Sequence, residues 1–231
     1  MTVPVLAIPA LNRPDLLERC LASIDVPVER LFVIDNSPDG SMGKVADEAG
    51  VEVVDVGRNL GVAASWNLAI QVNPEAAWWC LANVDTEFGP GDLRRLTDAM
   101  AEPEPLVACL RRFAAFGINA ATIERVGWFD ENFHPIYCED ADYEYRCLMT
   151  GVPIIDLPSG TRELDGGSVT YRSDPALAER NRATYPANVS YYQAKWGGPL
   201  RGGERFTTPF DSGGSLADWT LDLARLRSQR W

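Results

Sequence analysis

A run of apolar residues that ends in two polar side chains most constrains how this chain can fold. Trp78 to Ala82 has the length and composition of a fully buried strand, and Asn83 and Asp85 follow it two residues apart. Residues two apart in an extended segment point to the same side, and ligands of open α/β sheets bind beyond the carboxyl ends of the strands. We therefore expect Asn83 and Asp85 to face a ligand together. The alternative is a polar turn that leads into the next helix.

Short apolar runs alternate with helical patterns along most of the chain. Strands are predicted at residues 3–8, 31–34, 51–56, 78–82, 106–110 and 153–157, and helices at 14–24, 62–70, from about 90, within 117–126, from about 139, between 174 and 196, and at 216–227. This alternation predicts an α/β fold with a doubly wound, mostly parallel mixed sheet flanked by helices. From about Ser159 the chain becomes rich in glycine. We therefore expect a domain at residues 1–170 and a helical or irregular C-terminal extension at 171–231, which packs on that domain or forms a homodimer contact.

The composition excludes several classes of protein. The formal net charge of −12 argues against a general affinity for nucleic acid or anionic membranes, because phosphate binding needs clustered Lys and Arg. The five cysteines show no CxxC spacing, which favours reduced thiols in a reducing compartment. Neither a signal-peptide pattern nor an apolar run long enough for a membrane span is present in the sequence. We expect a cytoplasmic protein without a transmembrane segment.

Polar residues recur where predicted strands end and where one helix begins, namely at Pro9–Arg13, Asp35, Asn83–Asp85 and Glu139–Asp142. The segments that carry them, in order, are VLAIPALNRPDLLERCLASI, LFVIDNSPDG, VGRNLGVAASWNLAI, WWCLANVDTEFGPGDL and VGWFDENFHPIYCEDADYEYRCLMTGVPI. Over about the first 170 residues the chain resembles the inverting nucleotide-sugar glycosyltransferases of family 2, which have the GT-A fold. The Asn-x-Asp form of the metal motif is similar to that of the branch that includes rhamnosyltransferases.

The resemblance implies a role for the polar residues at this edge of the sheet. A nucleotide pocket would be lined by Pro9, Ala10, Asn12 and Arg13, with the backbone of Asn59 and Gly61 near it. Asp35 would bind the base or ribose, and Asn83 would contact ribose or phosphate. Asp85 would ligate Mn²⁺ or Mg²⁺. The donor would be a UDP- or dTDP-sugar. Asp35 has an alternative interpretation as a turn-capping residue, and Arg58 as either a phosphate contact or a solvated surface side chain.

Glu139 and Asp140 form the second predicted centre. An inverting transfer needs a base that takes the proton of the acceptor hydroxyl as that oxygen attacks the anomeric carbon. The resemblance implies that Asp140 is this base and that Glu139 binds the acceptor or the donor sugar. The alternative is an acidic helix start, where carboxylates are favoured by the helix dipole in any case.

The chain departs from the family at one expected metal ligand. Many relatives have a histidine after the strand that follows the acidic motif, where this chain has Arg162 to Ser168. Either Glu163 or Asp165 replaces it as an oxygen ligand, or Asp85 and the diphosphate hold the ion alone. The single histidine, His134, is given no role beyond an acceptor contact. Trp128 and Phe129 are interpreted either as a platform for a sugar or as core.

Two other functions compete with glycosyl transfer. A sugar nucleotidyltransferase would share the sheet and the metal, but it should have a glycine-rich phosphate loop after the first strand, where this chain has Ile8 to Arg13 without glycine. A non-catalytic glycan- or nucleotide-binding protein with the same fold is the third hypothesis, which the presence of Asp85 and Asp140 disfavours. The acceptor class is a glycan, a protein or a lipid-linked molecule, and the acidic composition weighs against nucleic acid.

Overall fold

A computed structural model describes residues 2–211 of the chain. The strands in this range are β1 (Val3–Ala10), β2 (Val28–Asp35), β3 (Glu52–Asp55), β4 (Trp78–Ala82), β5 (Thr86–Glu87), β6 (Val107–Arg111), β7 (Ala115–Asn119), β8 (Ile154–Asp156) and β9 (Arg162–Glu163). The helices are α1 (Pro14–Ala22), α2 (Gly43–Ala49), α3 (Val62–Gln71), α4 (Asp92–Ala99), α5 (Ala120–Val126), α6 (Glu139–Thr150), α7 (Val169–Ser173) and α8 (Pro175–Trp196). The helix predicted at 216–227 lies outside the described residues.

The main sheet confirms the predicted α/β architecture. Its strand order is β3-β2-β1-β4-β7-β6-β8, and every neighbouring pair is parallel except the two pairs that β7 makes. The register aligns Ala10 of β1 with Asp35 of β2, and Leu6 and Ala7 with Cys80 and Leu81 of β4. Because these strands are parallel, their carboxyl ends meet along one edge. The predicted polar positions therefore gather at that edge.

The structure corrects the prediction around Gly117. Residues 117–126 were expected to hold only a short helix, but Ala115–Asn119 forms β7, an interior strand antiparallel to both β4 and β6. Glycine weakens a strand pattern in sequence, yet here it serves close packing, because a Cβ at Gly117 would lie 2.9 Å from Cγ of Met100. The predicted helical piece follows directly as α5. The strand β7 places the Arg112–Ala114 turn beside the end of β4.

Helices cover both faces of the sheet, as a doubly wound fold requires. One core cluster packs α1 and α4 on the sheet through Leu16, Leu93 and Leu96, and the other packs α3, α5 and α6 through Trp66, Ile123 and Tyr143. Phe129 belongs to the second cluster, where its ring stacks on Tyr143 at a centroid distance of 4.1 Å. The core interpretation of Phe129 is therefore the one that the structure shows.

The described part of the C-terminal extension packs on α6 and on the loop before it. Tyr192 and Trp196 of α8 are fully buried in a cluster with Phe133, Cys138 and Ala141. The indole of Trp196 also contacts the ring of Tyr145 edge-on, at 4.9 Å between centroids. No helix within residues 2–211 is long and apolar enough to cross a membrane. The extension thus contributes to the surroundings of the acidic motif.

Candidate active site

Two adjoining clefts lie at the carboxyl edge of the sheet. The first encloses about 640 Å³, and the predicted residues that line it are Pro9, Ala10, Asn59, Gly61, Asn83 and Asp85. The second encloses about 850 Å³ and is lined by Glu139 and Asp140 together with Trp66, Arg111, Arg112 and Phe113. The two clefts share a wall that includes Asn83, Glu163 and Ser168. The structure therefore brings the Asn-x-Asp motif and the acidic motif to one continuous site.

Asp85 is held in the turn that leaves β4. The N–H of Asn83 donates to the carbonyl of Ala114 at 2.8 Å, which ties this turn to the start of β7. After the turn, β5 pairs with β9, and the N–H of Leu164 donates to the Asp85 carbonyl at 2.6 Å. Asp85 lines the first cleft, and only 6% of the surface of this residue is exposed. Residues 162–168, where a histidine was expected from the family resemblance, therefore lie beside Asp85.

The surroundings of Asp85 suit a divalent cation. Burial raises the pKa of the Asp85 carboxyl, and the negative charge of Glu163 on β9 raises it further. Backbone N–H groups of Ser168 and Val169 donate to the carboxylate and act in the opposite direction. In residues 2–211 no three His, Cys, Asp or Glu side chains converge as a metal cluster. Magnesium-type ions commonly use only one or two protein carboxylates together with substrate phosphates, so Asp85 and Glu163 fit such an ion.

Asp35 does not line either cleft. Its carboxylate is fully buried and accepts hydrogen bonds from the N–H groups of Ser37, at 2.8 Å, and Met42, at 3.1 Å. This is the turn-capping arrangement that was the alternative interpretation from sequence. The next residue, Asn36, lines the first cleft instead, and its amide donates to Oγ of Ser65 on α3 at 3.0 Å. Asn36 was not predicted from the sequence as a cleft residue. The only indication of such a position was that it follows Asp35, which was predicted to bind the nucleotide.

Asn12 and Arg13 also lie outside the lining of the clefts. Asn12 adopts a left-handed φ of 54°, and its N–H donates to Oγ of Ser37 at 2.9 Å. The guanidinium of Arg13 donates to the carboxylate of Asp15, with the shorter contact at 2.6 Å, and to Oγ of Ser173 at 3.1 Å. Both residues therefore shape the loop between β1 and α1, and Pro9, Ala10 and Leu11 of the predicted segment line the first cleft.

The loop before α3 requires glycine at position 61. Gly61 has a φ of 83°, and a Cβ there would lie 2.8 Å from the carbonyl oxygen of Pro135 and 2.9 Å from Cδ2 of His134. Nε2 of His134 lies 3.3 Å from the carbonyl oxygen of Asn59, so this histidine supports the loop. Nδ2 of Asn59 is buried without a hydrogen-bond partner among the described residues. Arg58 is exposed and lines neither cleft.

Backbone strain precedes the acidic motif. Tyr137 and Cys138 both adopt left-handed φ values, of 77° and 78°, in the two residues before α6 begins. Non-glycine residues rarely adopt this conformation, and such strain concentrates at functional sites. The strained turn directs Glu139 and Asp140 of the first turn of α6 toward the second cleft.

The acidic residues of α6 differ in their surroundings. Burial raises the pKa of Glu139 to about 8, with a further contribution from the charge of Asp140. Oε2 of Glu139 is buried and has no hydrogen-bond partner among residues 2–211. Asp140 is partly exposed, with 35% of its side chain accessible, and its Oδ2 lies 2.9 Å from a guanidinium nitrogen of Arg201. The first is a buried carboxyl with a raised pKa, and the second is an accessible carboxyl beside a guanidinium.

Asp142 is a structural residue. Its side chain is fully buried, and its Oδ2 accepts a hydrogen bond from Nε of Arg146 at 2.9 Å. Its Oδ1 accepts from the indole N–H of Trp196 at 2.8 Å and lies 2.7 Å from the ammonium of Lys195. Each oxygen is occupied by a cation or donor, so Asp142 joins α8 to α6 and does not face the clefts.

A mixed sheet of this topology, with a buried carboxylate after β4 and an acidic motif at the start of α6, has the architecture of the GT-A fold. The sequence model described as Glycosyl transferase family 2 matches residues 5–146, which is more than half of the 231 residues. The chain therefore belongs to glycosyl transferase family 2. A search of curated proteins gave no match.

Solved structures share the fold at low sequence identity. Glucosyl-3-phosphoglycerate synthase from Mycobacterium tuberculosis, in complex with Mn²⁺, UDP and glucosyl-3-phosphoglycerate, superposes with a TM-score of 0.56 at 15% identity over 80% of this chain and 79% of that one. The same enzyme with Mg²⁺ and UDP gives a TM-score of 0.55 at 14% identity, with the same two shares covered. Its complex with Mn²⁺, UDP-glucose and phosphoglyceric acid gives 0.54 at 14% identity, again over 80% and 79%. At this identity the likeness establishes the GT-A fold.

Proposed function

We propose that this protein is an inverting glycosyltransferase that moves a sugar from a UDP- or dTDP-sugar to an acceptor hydroxyl. The observation that carries the proposal is the shared wall at Asn83, which joins a cleft containing Asp85 to a cleft containing Asp140. Family membership supports glycosyl transfer in general. The fold neighbours that hold UDP with Mn²⁺ or Mg²⁺ support a pyrimidine donor with a divalent ion.

The donor would occupy the first cleft. Pro9, Ala10 and Asn36 would surround the nucleoside, and Nδ2 of Asn59 would donate to it or to the diphosphate. Asp85 would ligate Mn²⁺ or Mg²⁺, with Glu163 as a second oxygen ligand in place of the missing histidine. Such an ion, when bound, neutralises charge on the leaving diphosphate.

The transfer step would take place where the clefts meet. The acceptor oxygen bonds to the anomeric carbon, the bond from that carbon to the diphosphate breaks, and its electron pair leaves with the nucleoside diphosphate. Asp140 takes the proton of the acceptor hydroxyl, and the configuration of the anomeric carbon inverts because the acceptor oxygen attacks from the face opposite the leaving group. Glu139, protonated at neutral pH, would bind the sugar by donating a hydrogen bond from its buried carboxyl.

A thermal-shift panel tests the donor class. UDP-, dTDP- and GDP-sugars are each added with Mn²⁺, Mg²⁺ or EDTA. A ligand present at about 100 times its Kd should stabilise the fold by about 2.7 kcal/mol. We expect a metal-dependent shift with one pyrimidine donor, lost in Asp85→Ala and kept in Asp98→Ala, a substitution on the exposed side of α4. No shift with any nucleotide would favour a non-catalytic glycan-binding protein.

Substitution of Asp140 tests the chemistry separately. Asp140→Asn should abolish transfer and leave the nucleotide-dependent shift in place, because Asp140 lines the second cleft only. The assay follows release of UDP or dTDP with glycan, protein and lipid-linked acceptors in turn. Transfer at near the wild-type rate in Asp140→Asn would exclude Asp140 as the base.

A further inference from the structure

We infer that Arg201 is a positioning residue for the proposed base, supplied by a loop outside the region that the family model matches. The inference rests on the proposed function. Arg201 lies 61 positions beyond Asp140 in sequence, and one of its guanidinium nitrogens lies 2.9 Å from Oδ2 of that carboxylate. The family match ends at residue 146, so one partner of this contact lies inside the matched region and the other outside it.

The guanidinium of Arg201 bridges two carboxylates on one face of α6. Its Nε donates to Oε2 of Glu144 at 3.0 Å, while another of its nitrogens contacts Asp140. Residues four apart lie on the same side of a helix, so one planar guanidinium reaches both side chains. The bridge holds Asp140 through Oδ2. Oδ1 has no hydrogen-bond partner in the described part of the chain, which leaves it to accept the proton of the acceptor hydroxyl.

The loop that carries Arg201, residues 199–206, is built to hold this geometry. The carboxylate of Glu204 accepts hydrogen bonds from the N–H groups of Arg201, at 2.6 Å, and Gly202, at 2.7 Å. The hydroxyl of Tyr192, a fully buried residue of α8, donates to the same carboxylate at 2.5 Å. Arg201 itself has a left-handed φ of 60°, which these bonds fix. These hydrogen bonds to Glu204 hold the backbone at Arg201 in one conformation and so hold its guanidinium beside Asp140.

The base of this loop is attached to the same helices. The N–H groups of Arg205 and Phe206 both donate to the carbonyl of Trp196, at 2.9 and 3.0 Å, and the hydroxyl of Tyr145 on α6 donates to the carbonyl of Phe206 at 3.0 Å. Because Trp196 also donates to Asp142 of α6, hydrogen bonds connect the loop to the helix that carries the acidic motif.

The charges around Asp140 determine what removal of Arg201 should do. Several charged groups face or line the same region as Asp140. They are Glu139 and Glu144 of α6, Arg201 of the loop, Glu163 of β9, Arg111 at the end of β6 and Arg112 in the turn after it. Arg201 is the cation in direct contact with Asp140. Removal of Arg201 would take the hydrogen-bond donor from Oδ2 of Asp140 and would end the bridge to Glu144, so the Asp140 side chain would no longer be held in one orientation.

The experiment compares Arg201→Gln, Arg201→Lys and the control Arg182→Gln, an exposed ion-paired residue of α8. In Arg201→Gln kcat should fall about tenfold, because Asp140 is no longer held in the orientation that accepts the proton. The donor KM and the nucleotide-dependent thermal shift should not change. Arg201→Lys should recover only part of kcat, because a lysine cannot bridge both carboxylates. Arg182→Gln should match the wild type.

A direct measurement separates this inference from the proposed function. The χ1 rotamer of Asp140 is followed by NMR scalar couplings in the full chain, wild type and Arg201→Gln, independently of the transfer assay. Averaging over rotamers in Arg201→Gln, with less averaging in Glu204→Gln, which loosens the loop, supports the positioning role. A single unchanged rotamer and an unchanged kcat in a folded Arg201→Gln would overturn it. Loss of the nucleotide shift in the wild type would instead count against the proposed function.

Discussion

The ammonium of Lys195 on α8 lies 2.7 Å from Oδ1 of Asp142 on α6, and both side chains are buried. The same ammonium lies 2.6 Å from Oδ2 of Asp130, in the loop that precedes α6. One cation of the C-terminal extension therefore compensates two acidic groups of the family-matched region. The extension is consequently part of the structure that holds the acidic motif in place.

Lys195→Met should destabilise the fold by about 3 kcal/mol, because removing one partner of a buried ion pair leaves uncompensated charge. The free energy of unfolding is measured by urea denaturation. Arg182→Met on the same helix is the matched control, since the Arg182 side chain is 72% exposed and its pair with Glu179 contributes little. Equal stability of the two variants would show that Lys195 has no such role.

Gly61→Ala should destabilise the fold by about 2 kcal/mol or more, because a side chain is strained at this φ and collides with Pro135 and His134. The nucleotide-dependent thermal shift should shrink as well, since Gly61 lines the first cleft. Gly43→Ala is the control: it lies in α2, and a Cβ there meets nothing within 4 Å. That substitution should raise stability by up to about 1 kcal/mol.

Glu139 should make stability fall as pH rises. Its pKa is raised by burial from an ordinary 4.5 to about 8, so the folded state binds a proton that the unfolded state releases. The contribution is complete below about pH 4.5 and is lost as pH rises to about 8, at about 1.4 kcal/mol per pH unit. Glu139→Gln should remove this slope, while Glu124→Gln on the exposed side of α5 should keep it. Urea denaturation without nucleotide, at pH values across this window, measures both; parallel curves for wild type and Glu139→Gln would contradict the assignment.

Metal-dependent donor binding should weaken as pH falls, because a protonated Asp85 does not ligate a cation. Burial and then Glu163 raise the pKa of Asp85, so the loss should begin at a higher pH than for an ordinary aspartate. Glu163→Gln removes the like charge and should move the midpoint to lower pH, and at neutral pH it should weaken Mn²⁺ binding about tenfold if Glu163 is a ligand. The measurement is the Mn²⁺ dependence of the UDP thermal shift against pH. A midpoint that stays in place would exclude an interaction between the two carboxylates.

Sequence reasoning located the edge of the sheet that carries the site. A buried strand is predicted from its local run of apolar residues. The polar residues that end it are recognised by contrast with that run, as Asn83 and Asp85 are after Trp78–Ala82. Parallel pairing then places such ends together. For the same reason Pro9, Ala10, Asn83 and Asp85 line one cleft, while their roles in binding stay a prediction.

Side-chain partners at the same edge were less accessible to sequence reasoning. Asp35 and Asn36 are adjacent and both polar, but only the folded turn shows that the first binds backbone N–H groups and the second lines the cleft. The strand β7 was missed because Gly117 weakens its pattern, and its justification is packing against Met100, which is remote in sequence.

The sequence by itself determined the strands of the main sheet other than β7, the polar ends of β1 and β4 and the acidic start of α6, because these depend on residues near one another in the chain. Tertiary structure decided the burial and the charged neighbours of each carboxylate. Glu163 meets Asp85 through the pairing of β5 with β9, and Arg201 meets Asp140 across 61 positions. Burial and charge are set by such distant neighbours, so the protonation and orientation of each acidic group are properties of the folded chain alone.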